Sequence, residues 1–180
     1  MLKLELGGGT KPRGDGWVNV DQTPNADVKH DLNVYPWPFA DDAADEMYSS
    51  HCLEHLREPL KVLWEIARIG KIGCPVELHV PHPQSDLAMV DSHVHVFSPI
   101  QAVNMDVHFP REFWPHAKRL KLERHEFAAS FLLEQAKREL PFLAGLDDQV
   151  IMRYFGATAH ETIFHYCVVE NEFFNEHYGV

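Results

Sequence analysis

The sequence predicts a single α/β domain over residues 1–180, built on a mostly parallel central sheet closed by a late antiparallel strand pair. Two features predict it. Through the first ninety residues, short strand-like runs, most of them ending in or followed by Gly, Pro, Asp or Asn, alternate with loops and one strong helix. Beyond residue 118, two longer strand-like runs flank a helix, which suits a pair of strands added after the parallel core.

Taken in order, Lys3–Gly7, Trp17–Asp21, Asp27–Asp31, Asp45–Ser49 and Val76–Val80 read as strands. The helix runs from Pro59 to Arg68. Pro59 suits its first turn, and Leu60, Leu63, Trp64 and Ala67 share one face. Gly70 and Gly73 then stop it. From Pro81 to Pro115 the pattern dissolves into Pro, His and aromatic residues, so residues 81–117 read as an irregular, lid-like insertion on the acceptor side of a site. Trp37, Phe39, Phe97, Phe109, Phe113 and Trp114 read as core or lid packing. Arg119–Phe127 is expected as a strand, Ser130–Arg138 as a helix and Glu161–Val169 as the last strand.

Composition excludes several functions. A formal net charge of −11 repels phosphate backbones, so nucleic acid is not expected as a partner. The one basic cluster, Lys118, Arg119, Lys121 and Arg124, alternates with Leu120 and Leu122 like the solvent face of a strand. No apolar run is long enough to span a bilayer, and the N-terminus MLKLELGGGT lacks a leader pattern, so a cytoplasmic location is expected. Cys52, Cys74 and Cys167 are odd in number and scattered, which reads as buried free thiols.

The chemistry begins in KLELGGGTKPRGDGWVNVD. An apolar strand carries an acid, Glu5, and runs into Gly7, Gly8 and Gly9, where the backbone can turn sharply and approach a ligand. A second strand ends on Asp21, a carboxylate placed to accept from two ribose hydroxyls. Together these point to a bound nucleoside.

The stretches ELGGG, NVD, HDLN with YPWPF, DEMYSSHCLEHL, EIARIGKIG and ELHVPHP resemble, in order, the motifs of the class I S-adenosylmethionine-dependent methyltransferases. The resemblance covers residues 3 to 83. It implies a Rossmann-like methyltransferase fold with S-adenosyl-L-methionine as cofactor. On these positions it implies that Glu5, Gly7, Gly8 and Gly9 hold the amino acid moiety and Asp21 the ribose. It further implies that Asp31 and Leu32 flank the adenine, and that Ser50 and His51 lie where donor and acceptor meet. One departure is visible. Only Thr10–Gly16 separate the glycines from the second strand, where the family has a full helix, as in compact members with a GW-x-N-x-D second strand.

A competing pattern occupies the same stretch. His51, Glu54 and His55 spell H-x-x-E-H, which on a helix holds zinc with the glutamate as base. The strand running up to His51 places that residue at a helix entrance instead, so no bound metal is expected. His79 and His82, with His93 and His95, follow the carboxyl end of the fifth strand, and His93 or His95 is the expected proton acceptor. The expected function is methyl transfer to a small-molecule or carbohydrate-like acceptor. The rivals are a binding protein of the same fold without catalysis and, more remotely, a zinc hydrolase.

Overall fold

The strands alternate in character along their length, and this decides which face of the sheet is buried. The computed structural model describes residues 1–108, 113–154 and 158–178. In it β1 (Lys3–Leu6) lies between and parallel to β2 (Trp17–Asp21) and β4 (Glu46–Ser50), with β3 (Val28–Lys29) outside β2. β5 (Pro75–Pro81) continues the parallel run beside β4. β7 (Ala159–Glu170) then pairs antiparallel with β5, and β6 (Lys118–Ala129) antiparallel with β7 at the edge. The strand order is β3-β2-β1-β4-β5-β7-β6. The late pair is as the sequence predicts, with the last strand inserted inside the sheet rather than added to its rim.

One face carries Leu4, Leu6, Val20, Met47, Val76, Leu78, Val80, Phe164 and Val168, all buried, packed with Val62, Leu63 and Ile66 of α1 (Pro59–Ile69). The opposite face carries Lys3, Trp17, Tyr48, Glu77, His79 and His165, only half-buried. A parallel sheet covered on both sides reads as continuous apolar strands. This one is apolar on one side. The missing helix between β1 and β2 belongs to the same pattern, since Gly7–Gly16 form only turns.

Several expectations are corrected. β3 is shorter than Asp27–Asp31 because both acids serve the backbone: Asp27 accepts from Asn19 N at 2.8 Å and Asp31 from Asn33 N at 2.9 Å. The buried face of α1 is centred on Val62 and Ile66, which turns Leu60 and Trp64 to its margin, where the Trp64 indole donates to the Phe113 carbonyl at 2.8 Å. The segment after Pro81 is not irregular throughout. It holds α2 (Pro99–Val103) and a following π turn, Asn104–His108, and Ala102, Met105 and Trp114 are buried in the main core. Of the aromatic residues expected there, Phe109 lies outside the described residues.

The basic cluster is only partly a solvent face. Lys118 donates to the Arg68 and Gly70 carbonyls at the C-terminus of α1, where a cation suits the helix dipole. Arg119 pairs with Asp106. Three further helices, α3 (Phe131–Glu139), α4 (Asp148–Tyr154) and α5 (Glu172–Tyr178), follow, and the first two build a small second core around Phe127, Leu133 and Ile151. Among the described residues no helix is long and apolar enough to cross a membrane. All three cysteines are free. Cys52 and Cys74 are buried, Cys167 half-buried.

The loop between β3 and β4 is pinned by a charged pair. Trp37 is 2% exposed; its backbone N–H donates to Glu65 Oε2 at 2.7 Å and its indole to the Leu32 carbonyl at 3.1 Å. Arg68 holds the same carboxylate at 2.7 Å and reaches the Phe39 and Trp37 carbonyls. Removing the carboxylate strands the buried Trp37 N–H and takes from the Arg68 guanidinium one of its two carboxylate partners, leaving it Asp41. Glu65→Ala is therefore expected to destabilise the protein by about 2–4 kcal/mol in urea unfolding. A loss below roughly 0.5 kcal/mol, the range of surface substitutions, would show that Trp37 packing alone holds the loop.

Candidate active site at the strand ends

Strand order reverses direction between β1 and β4, and the crevice outside the carboxyl ends of an open α/β sheet at such a point is where ligands bind. Gly7–Gly9 leave β1 there, and Ser50 and His51 leave β4. A Cβ on Gly7 would lie 2.2 Å from Cys52 Sγ, so only glycine lets these two connections pass. Gly9 differs. Its φ is +59°, and a Cβ there would meet nothing within 4 Å. Its outer side is open.

The loop is held from below by side chains. Gly8 N donates to Asn19 Oδ1 at 3.0 Å, Gly9 N to Asp21 Oδ2 at 3.0 Å and Arg13 N to Glu5 Oε2 at 2.7 Å. The Arg13 guanidinium sits 3.8 Å above the Tyr48 ring. Glu5 is 5% exposed, so its carboxylate supports the loop rather than facing outward. Asp21 is half-exposed; its second oxygen accepts from Thr23 N at 2.8 Å, and each carboxylate oxygen keeps a further lone pair for a ligand.

Asp31 is likewise half-exposed, two residues beyond β3. Leu32 is not available as a surface; its side chain belongs to the core. Ser50 is the last residue of β4 and half-buried, while Ser49 beside it is buried and donates to the Leu6 carbonyl. An open backbone at Gly9 with the Asp21 and Asp31 carboxylates along the same edge is a set that fits a nucleoside ligand.

His51 has φ +50° and precedes a 3-10 turn, Leu53–His55. His51 and His55 therefore do not share a helix, and the H-x-x-E-H pattern does not form the zinc-protease arrangement. Instead His51 Nδ1 lies 3.3 Å from Glu54 and Nε2 3.3 Å from Glu161. These contacts, that with Glu161 foremost, raise its pKa to about 9, so it is an imidazolium at neutral pH. Glu161 is held well below the ordinary carboxylate range by His51 and His79. Burial alone would lower the His79 pKa, but its hydrogen bonds to Glu161 at 2.9 Å and Glu77 at 2.8 Å outweigh it and the net shift is upward. His82, buried without such a partner carboxylate, is shifted down.

The two expected proton acceptors are placed differently. His95 Nε2 donates to the Arg57 carbonyl at 3.0 Å, which leaves Nδ1 with the lone pair. The His93 side chain is 10% exposed and packs edge-on against His55, 4.6 Å between ring centres, with Nε2 3.9 Å from Glu54. A ring so enclosed is poorly placed to meet an acceptor. Sequence reasoning missed Asn19 and Thr23, which grip Gly9, and His160 and Glu161. The buried Asn in WVNVD is a readable signal of a loop-holding amide. His160 and Glu161 give none, because only the β5–β7 pairing brings them to the strand ends. A cleft of about 400 Å³ lined by Tyr35, Lys61, Trp64 and Arg68 lies on α1, away from these groups.

Neither a protein-family model nor a curated protein sequence matches this chain. Solved structures do. A SAM-dependent methyltransferase from Archaeoglobus fulgidus is similar at TM-score 0.59 and 15% identity, over 94% of this chain and 85% of that one. A methyltransferase of Haloferax volcanii, described as putative and solved in complex with the Trm112 methyltransferase activator, is similar at TM-score 0.58 and 17% identity, over 95% and 82%. The [4+2]-cyclase SpnF is similar at TM-score 0.57 and 15% identity, over 92% and 74%. The chain thus has the Rossmann-like fold of S-adenosylmethionine-dependent methyltransferases.

Proposed function

We propose that the protein is an S-adenosylmethionine-dependent methyltransferase acting on a small-molecule or carbohydrate-like acceptor. The observation that carries this reading is the open side of Gly9 at the switch point between β1 and β4, with Asp21 bonded to it and Asp31 following β3 at the same end of the sheet. In this reading Gly7–Gly9, with Glu5 beneath them, shape the seat of the amino acid moiety. Asp21 accepts from the ribose hydroxyls, and Asp31 lies beside the adenine. Ser50 and His51 border the reacting centre. The bound cofactor supplies an electrophilic sulfonium methyl. The protein's part is to align an acceptor in line with it and to exclude water, effects that supply much of the barrier lowering in such displacements. His95, with Nδ1 free to accept, is the proposed base; the His51 imidazolium is already protonated at neutral pH and serves instead as a fixed positive charge.

A second reading is a binding protein of this fold without catalysis. It is favoured by the loop itself, since the Gly8, Gly9 and Arg13 N–H groups are occupied by Asn19, Asp21 and Glu5. The cyclase neighbour also shows that the fold alone does not dictate methyl transfer.

S-adenosylhomocysteine at about 100 times its Kd is expected to stabilise the protein by about 2.7 kcal/mol, which for a chain of this size raises Tm by roughly 5–10 °C. A flat thermal shift at millimolar ligand would remove cofactor binding from both readings. Asp21→Asn keeps the side-chain shape while removing its charge, and should weaken S-adenosylhomocysteine by about 1.5–3 kcal/mol in calorimetry. Equal affinities for the two proteins would show that Asp21 does not hold the ribose.

A further inference from the structure

The turn after β4 and the segment after β5 meet at three side chains, Glu54, His55 and His93. Each offers a ligand atom, and the three atoms lie within 4.8 Å of one another. Two of these groups lack a partner where they need one. Glu54 is 1% exposed, and among the described residues its Oε2 accepts no hydrogen bond; His93 Nδ1 is likewise buried without a partner. Leaving a carboxylate oxygen and an imidazole nitrogen buried and unsatisfied is costly, and native proteins seldom leave such atoms unpaired unless a water or ion completes them.

The third group is already oriented. His55 Nδ1 donates to the Ser92 carbonyl at 3.0 Å, which fixes the tautomer and leaves the Nε2 lone pair free. The backbone joins the two segments as well, since Val94 N and His95 N both donate to the Glu54 carbonyl, at 2.8 and 3.3 Å. The ligand-bearing segments are therefore held together before anything binds.

We infer that Glu54, His55 and His93 form a binding site for a borderline divalent transition ion of the zinc class. Two imidazole nitrogens and one carboxylate oxygen are the donors such ions prefer, and three protein ligands leave a fourth position open. His55 is exposed and gives the ion its approach. Ligand atoms about 2.0–2.2 Å from a tetrahedral ion lie about 3.3–3.6 Å apart, so closure asks for side-chain shifts of about 1 Å. This departs from the sequence expectation of a metal-free protein, and from the zinc-protease pattern too, because His51 is not a ligand and His93 comes from elsewhere in the chain. The neighbouring group of His51, His160 and Glu161 is a weaker candidate. Glu161 already bridges His51 and His79. The site stands independently of methyl transfer.

The test is Zn²⁺ titration by calorimetry of the full chain after chelator treatment, with circular dichroism confirming the fold of each variant. Wild type is expected to bind about one Zn²⁺ per chain with roughly micromolar Kd or tighter. His55→Ala removes an exposed ligand without touching the core, and Glu54→Gln keeps the buried shape. Each should weaken binding at least about tenfold, as His93→Ala should where it folds. His160→Ala should leave the affinity unchanged. Absence of stoichiometric binding by the wild type would overturn the assignment. So would binding that survives His55→Ala and Glu54→Gln, or binding lost in His160→Ala.

Discussion

The short passage from β1 to β2 sets the terms for the rest of the molecule. A helix at this place would satisfy its own backbone and cover one face of the sheet. Gly7–Gly16 make only turns, so their N–H groups need acceptors from elsewhere, and Glu5, Asn19 and Asp21 provide them. Each lies on β1 or β2 and faces the loop. The acids that a nucleoside site would use are thereby the same acids that keep the loop in place.

The second consequence is on the sheet. With one face carrying polar and half-buried residues, charged groups on neighbouring strands must satisfy one another. They do so as an alternating series of carboxylates and imidazoles: Glu126 to His165 at 3.0 Å, His165 to Glu77 at 3.7 Å, then Glu77, His79, Glu161, His51 and Glu54. The series crosses from the edge strand to the strand ends and takes in His165, His79 and His51, three of the thirteen histidines. At the inner end of the series His51 and His79 both help keep Glu161 ionised, so these three groups titrate together rather than singly.

Local signals were legible in the sequence where the cause was local. β2 runs over Trp17–Asp21 as read, and α1 needs only Pro59 and the stop at Gly70 to be found within a residue of its end. The glycine loop was legible because glycine is demanded by a close approach, although its partner at Gly7, Cys52, was not. What escaped reading depends on long-range register. Nothing near Lys118 says that its ammonium will cap a helix fifty residues earlier, and nothing near Glu161 says that β7 will enter beside β5. The H-x-x-E-H pattern misled for the complementary reason: its spacing presumes a helix, while the chain bends sharply at His51. Glu54 and His55 instead meet a histidine from a separate segment, and no spacing rule joins them to it.

The insertion of β7 between β5 and β6 also bears on how the chain is made. Proteins leave the ribosome N-terminus first, and the parallel strands β1 to β5 can assemble as soon as Pro81 has emerged. The outer edge of β5 then waits for Ala159–Glu170, with Val76, Leu78 and Val80 beside unpaired backbone groups. An open edge flanked by apolar side chains is a template for pairing with another chain. Until Ala159–Glu170 arrives, that edge is open to pairing with another chain, and its capture by the final strand is what closes it.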